Sequence, residues 1–178
     1  MYNTDPNIWN DGYLTLEERV EERKKYLEAM LKWDKRYLEL AKLISTWSKD
    51  PGHKIGAVAV GKHGQILSTG FNGFPRKLSD SEERLTNRDI KLKHTIHAEM
   101  NVIFNASLTN VSLEGASLYV YGLPCCSSCS LGIIQSGINR VVITKQSLQD
   151  SEFWTESWQF SSSVFREANI EIVEVDYE

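Results

Sequence analysis

His97 and Glu99, an imidazole and a carboxylate two positions apart, and Cys126 and Cys129, thiols three positions apart, have the residue types and spacing to do chemistry together. The thiols sit in Leu123-Pro124-Cys125-Cys126-Ser127-Ser128-Cys129, after an apolar run. All three cysteines of the chain fall within this segment, which suits a metal better than a disulfide framework. A Cys-x-x-Cys alone also fits a redox pair, and the His-Ala-Glu upstream is what favours zinc. Cysteines at i and i+3 in the first turn of a helix point the same way, and the positive helix end helps keep them as thiolates. With a nitrogen from His97, three protein ligands leave a fourth tetrahedral position open to water, which marks a catalytic site. Zinc lowers the pKa of such a water from about 15.7 towards 7. Glu99 is then free to take the water proton and pass it to a leaving group. A closed structural site would need a fourth ligand, for which His94 is the nearby candidate. Cys125, His53 and His63 make no obvious closed set.

The elements that must position these groups follow from pattern. An irregular lead-in is expected over residues 1–12. A capping box at Thr15 and Glu18 opens a strongly charged helix running to Leu27, whose charge run is taken as a solvated face. A second helix follows, with Trp33, Tyr37, Leu38, Leu40, Ala41, Leu43, Ile44 and Trp47 as a core-facing stripe, stopped at Ser48-Lys49-Asp50-Pro51-Gly52. Residues 55–60 and 65–71 are expected to pair as a hairpin across Gly61-Lys62-His63-Gly64. A polar stretch from Leu78 to Lys93 is expected as a long loop forming one wall of the site.

From Thr95, a helix with Ile96, Met100, Ile103 and Phe104 on one stripe carries His97 and Glu99 near its start and ends between Asn105 and Asn110. Strands are expected over 115–121, 140–144 and 170–175, and helices over 128–136, closed by Gly137, and 153–168. Strands alternating with helices after a hairpin imply a three-layer α/β/α domain with a mixed five-stranded sheet. Residues 1–32 form the lead-in and charged helix, and 33–178 the catalytic domain.

With 178 residues, 41% of them hydrophobic, the chain can bury one core without staples. A net charge of −4 and a sequence pI near 5.6 argue against a protein that wraps nucleic acid. No apolar run approaches the roughly 18–20 residues of a membrane span, and the first residues lack the pattern of a signal peptide, so the expected location is cytoplasmic.

Thr95-Ile96-His97-Ala98-Glu99-Met100-Asn101 together with Cys126-Ser127-Ser128-Cys129 resembles the zinc-dependent cytidine deaminase superfamily. Ser48-Lys49-Asp50-Pro51, Ile55-Gly56-Ala57-Val58, Gly70-Phe71-Asn72-Gly73-Phe74-Pro75 and Ile133-Ile134-Gln135-Ser136-Gly137-Ile138 look, more narrowly, like the deoxycytidylate deaminases. The resemblance runs over about residues 35 to 145 with its motifs in order. It implies a cytidine-deaminase-like fold and hydrolytic deamination of dCMP to dUMP, supplying the thymidylate pathway. Deamination of dCTP or a free (deoxy)cytidine, or a non-catalytic nucleotide sensor, are the alternatives.

Carried over by residue, the resemblance makes His97, Cys126 and Cys129 zinc ligands and Glu99 the proton shuttle. It places Asn72 and Ala98 at the substrate, and Lys54, just before the first strand, is a candidate for its 5′-phosphate. It further implies a homo-oligomer, commonly a hexamer, activated by dCTP and inhibited by dTTP with Mg2+, with Asn72, Gly73, Phe74, Pro75 and Arg76 as the candidate effector loop. Cys125 stands where the family has proline before the first zinc cysteine. The four-residue step from Cys129 to Ile133 matches the family and keeps Cys126 and Cys129 as ligands, leaving Cys125 a non-ligand that could line the pocket. Some relatives hold a second, structural zinc before His-Ala-Glu. Residues 72–93 contain no cysteine or histidine, so one zinc per subunit is expected.

Overall fold

The computed structural model describes residues 15–145 and 152–177, so the expected lead-in over 1–12 lies outside the described residues. In chain order come helix α1 (Leu16–Ser45), strands β1 (Gly56–Val60) and β2 (Ile66–Phe71), and helices α2 (Glu82–Thr86), α3 (Arg88–His94) and α4 (Ala98–Leu108). Strand β3 (Ser117–Tyr121), helix α5 (Ser127–Gln135), strand β4 (Arg140–Thr144), helix α6 (Glu152–Glu167) and strand β5 (Glu171–Val175) complete the chain. The five strands form one sheet in the order β2-β1-β3-β4-β5. β1 runs antiparallel to β2 and β3, while β3, β4 and β5 are parallel, so the sheet is mixed as expected.

Side chains alternate across a strand, and here the alternation sorts two cores. Ala57, Ala59, Leu118, Val120, Val141 and Ile143 face one side with Val102 and Ala106 of α4, Ile133 of α5 and Phe165 of α6. Val58, Val60, Tyr119, Val142 and Val175 face the other with Leu38, Ala41 and Ile44 of α1. This is the α/β/α layering. Two glycines set how closely the layers meet. A Cβ on Gly56 would lie 2.0 Å from the Ala41 carbonyl oxygen of α1, and one on Gly70 would lie 2.4 Å from the Ala98 carbonyl oxygen of α4.

The two opening helices expected from sequence are one helix. No glycine or proline interrupts residues 16–45, and the capping box closes with Thr15 Oγ1 accepting from the Glu18 amide at 3.2 Å and Glu18 accepting from the Thr15 amide at 2.8 Å. Burial along α1 begins only at Asp34. The stripe is also narrower than expected, since Trp33, Leu43 and Trp47 are exposed while Leu38, Ala41 and Ile44 are buried.

The long polar loop is mostly helical. Asn87 joins α2 to α3 by serving as the C-cap of one and N-cap of the other, its side chain accepting from the amides of Asp89 (3.1 Å) and Ile90 (3.2 Å). Helix α4 is rotated relative to the expected stripe. Its buried residues are Ala98, Glu99, Val102 and Ala106, and Phe104 is exposed. The close approach at Gly70 admits only small side chains there, so the larger apolar residues turn outward.

Candidate zinc centre and active site

His97 is not on a helix face. It is the N-cap of α4, with extended φ and ψ of −70° and 156°, so the 200° divergence of i and i+2 side chains does not apply to His97 and Glu99. The residue before it is pinned to the end of β2, because the amides of Ile96 and Gly73 bond each other's carbonyls at 2.8 and 3.1 Å. Cys126 is likewise an N-cap, of α5, and its sulfur accepts from the Cys129 amide at 3.4 Å. Two helix starts on the same side of the sheet thus supply the three candidate ligands.

His97 Nδ1 lies 3.3 Å from Cys126 Sγ and 3.4 Å from Cys129 Sγ. All three ligand atoms fall within 4.8 Å of one another, forming among the described residues the one cluster of three with metal-ligand spacing. Bonds of about 2.1–2.3 Å to a tetrahedral zinc imply ligand edges of roughly 3.5–3.8 Å, so the cluster needs only a few tenths of an ångström to close on the ion. The donor set fits zinc. No fourth protein ligand joins it among the described residues, and His94 is engaged elsewhere, its Nδ1 2.7 Å from the Ile90 carbonyl oxygen.

The protonation pattern is that of a ligand set holding protons where a cation belongs. The Cys126 thiol is pulled down to about 4, chiefly because Cys129 bonds to its sulfur, and His97 and the Cys129 amide add to this. Cys129, the donor of that bond, is pushed up, and His97 is raised by the bonded Cys126 sulfur. The two thiols share one proton, and a bound metal releases it.

Glu99 is 3% exposed, and burial pushes its carboxyl up to about 7, opposed in part by His97. Its bonding partners are neutral: its own backbone amide and the thiol of Cys125. Cys125 is fully buried behind Glu99, its own thiol raised by that burial, and is absent from the cavity walls it was expected to line.

The cluster lies in the wall of an open cleft of about 1130 Å³, large beside the ~300–1,000 Å³ of typical small-molecule sites. Helices α2 and α3 contribute Leu85, Arg88, Lys91 and Leu92; α4 contributes Met100; α6 contributes Trp154 and Ser157. A smaller recess of about 90 Å³ reaches Glu99 between Ile55, Asn72, Leu123 and Pro124. α6 is held over the site by Ser157, whose hydroxyl accepts from the Ser127 amide at 2.9 Å.

Of the substrate residues expected from sequence, Asn72 lines the recess but is committed to the backbone. Its Oδ1 accepts from the Ile55 amide at 2.9 Å and its Nδ2 donates to the His53 carbonyl at 2.8 Å, which shapes the 53–55 turn. Ala98 is fully buried and lines neither cavity, and Lys54 is exposed outside both. In the loop after Asn72, Gly73 bridges to Ile96, the Phe74 ring lies 5.9 Å from that of His94, Pro75 accepts from the Leu78 amide and Arg76 donates to Asn105. Sequence reasoning placed a wall over 78–93 but named none of its residues, and it did not see Trp154 or Ser157. The signal for Arg88 and Lys91 was their spacing of three, visible only once the segment is read as a helix.

Fold and ligand set together describe a zinc-dependent hydrolase of the deaminase kind. The chain belongs to the family described as "Cytidine and deoxycytidylate deaminase zinc-binding region", whose profile matches residues 31–145. It is 40% identical over 141 residues to a protein of Aliivibrio fischeri named as an uncharacterized deaminase in the luxG 3′ region, covering 79% of this chain and 92% of that one. It is 34% identical over 144 residues to the deoxycytidylate deaminase of Homo sapiens, covering 76% and 75% of the two chains. Among solved structures, the dCMP deaminase of cyanophage S-TIM5 in complex with dCMP and dUMP superposes with a TM-score of 0.60 at 26% identity, covering 79% of this chain and 94% of that one.

Proposed function

We propose that this chain deaminates dCMP to dUMP hydrolytically. The observation that carries the reading is a buried glutamate, bonded to no lysine or arginine among the described residues, beside an open His-Cys-Cys ligand set in the wall of a nucleotide-sized cleft. When bound by His97, Cys126 and Cys129, zinc supplies a water acidic enough to be deprotonated near neutral pH. Glu99, buried beside the ligand set, would take the first proton of that water to the pyrimidine ring nitrogen, and would then carry the second, from the hydroxyl added to the ring carbon, to the amine, which leaves as ammonia. Asn72 acts through the 53–55 turn, holding one wall of the recess in which the base would sit. α6, with Trp154 and Ser157, and α3 form the walls of the cleft that flank the ligand set. The intact Glu99 beside three ligands favours an enzyme over a nucleotide sensor of the same fold.

Several finer statements go with this reading. Residues 33–178 act as the catalytic domain and 1–32 as an appendage, supported by burial on α1 starting at Asp34. The protein is a cytoplasmic homo-oligomer, a hexamer, with dCTP and Mg2+ raising and dTTP lowering turnover through residues 72–76. Support comes from the bridge between Gly73 and Ile96, which ties that loop to the residue preceding His97. No helix among the described residues is long and apolar enough to cross a membrane.

The test is ultraviolet-followed deamination by the zinc-loaded protein of dCMP, dCTP, deoxycytidine and CMP, with and without each effector. Turnover of dCMP above the others is the expected result. Absence of dCMP turnover with zinc bound overturns the reading.

A further inference from the structure

In a chain of net charge −4, the large cleft has a wall that contains two cations, Arg88 and Lys91, and among its described residues no carboxylate. A cationic cleft wall in an acidic protein favours an anionic ligand by attraction from within and repulsion from elsewhere. The two cations are one turn apart on α3 and so emerge on the same side of that helix. They are not equivalent. The Lys91 ammonium is 2.8 Å from Asp50 Oδ1, with both side chains largely buried at 16% and 11% exposure. Asp50 is itself fixed by accepting from the amides of Gly52 and His53. Lys91 is therefore held in place and electrically compensated.

Arg88 has no ion pair or hydrogen bond from its side chain among the described residues and stands exposed at the cleft wall. Its charge is the uncompensated one. A guanidinium presents a planar fork of donors matched to phosphate oxygens, so it is the stronger phosphate ligand of the two types. Lys54, the candidate from sequence, lies outside the cleft. We infer that Arg88 binds the 5′-phosphate of the nucleotide substrate and thereby selects the monophosphate over the free nucleoside, with Lys91, oriented by Asp50, as the supporting donor. This assignment rests on the deaminase reading of the same site.

The experiment compares zinc-loaded wild type, Arg88→Gln and Arg88→Lys on dCMP and on deoxycytidine, with calorimetric binding of dUMP and deoxyuridine as a readout independent of turnover. Zinc content and circular dichroism establish that each variant is folded. For Arg88→Gln the ratio of kcat/KM for dCMP to that for deoxycytidine is expected to fall by about 10- to 100-fold, through KM, because a charge-assisted pair is lost. Binding of dUMP weakens by a similar factor, and Arg88→Lys restores part of it. A merely structural role for Arg88 would instead depress both substrates alike and leave the ratio unmoved, which overturns the inference while dCMP turnover by wild type keeps the deaminase reading standing. Wild type that turns over deoxycytidine and not dCMP overturns both.

Discussion

On the α1 side of the sheet, Asp34, Tyr119 and Arg140 are buried together and matched: Arg140 donates to both Asp34 oxygens at 2.8 and 2.9 Å, and Tyr119 donates to Asp34 at 3.0 Å. On the α4 side, at a similar depth, Glu99 is surrounded by thiols and an imidazole and bonded to no lysine or arginine among the described residues. Both faces bury a carboxylate. One gives it a permanent bidentate cation, and its charge becomes part of the scaffold. The other leaves it with neutral donors, so its proton is poised near neutral pH and its neighbours need a metal to be satisfied. Reactivity here is the difference between a buried charge with its counterion built in and one whose counterion must be brought.

That contrast can be broken at several points. The largest effect is expected from Glu99→Gln, which keeps the shape and removes the proton carrier: kcat falls about 10²- to 10⁴-fold while zinc content is unchanged, checked by turnover and metal analysis. Glutamine that turns over like wild type would remove Glu99 from the chemistry. Next, Asp34→Ala leaves Arg140 buried with only the exposed Glu171 as an ionic partner and lowers stability by about 3 kcal/mol in urea unfolding. Replacing all three, as Asp34→Leu with Arg140→Met and Tyr119→Phe so that no buried hydroxyl is orphaned, recovers most of that loss, and activity per folded molecule stays at the wild-type level. If Asp34→Ala abolished turnover without unfolding, the two faces would not be separable.

A third test concerns pH. In the metal-free protein the Glu99 carboxyl sits near 7, against an ordinary 4.5. Between those values the native state holds a proton that the unfolded chain has released. Stability from this group is therefore present below about 4.5 and declines as pH rises to 7, by about 3 kcal/mol over the whole window. Urea titrations of metal-free wild type at pH 5, 6, 7 and 8 should show that decline, and Glu99→Gln should flatten it by the same amount. The smallest effect is Cys125→Ser, which leaves zinc stoichiometry at the wild-type value. Zinc lost from that variant but retained by Cys126→Ser would move the ligand one residue back.

The ligand set was legible in sequence because its spacing is local: each thiol pair and each His-x-Glu lies within one turn, and helix starts are where such residues gather. Strands β3, β4 and β5 were legible because apolar runs between turn residues leave few alternatives. Three things were not. α1 was split at its change from charged to apolar composition, although no breaker stood there and helix continuity depends on backbone, not on polarity. α2 and α3 were taken for loop because seven residues or fewer show no stripe, and Asn87 reads equally as turn or cap. The face of α4 was misjudged because apolarity was weighed and size was not. Ala98 is a weak hydrophobe but fits where Gly70 brings β2 onto the helix, while the larger Phe104 is exposed.

The Asp34–Arg140 pair joins residues 106 apart in the chain, whereas His97 meets Cys126 and Cys129 across 29 and 32. Closing the longer loop carries the greater entropic penalty, and contacts of that reach are slow to gain. Ordered in time, the fold would assemble its metal-binding half from β1 through α5 first, with the Asp34–Arg140 ion pair that fastens α1 to β4 as the latch. A nascent chain would then have its three zinc ligands in register before the protein around them is complete.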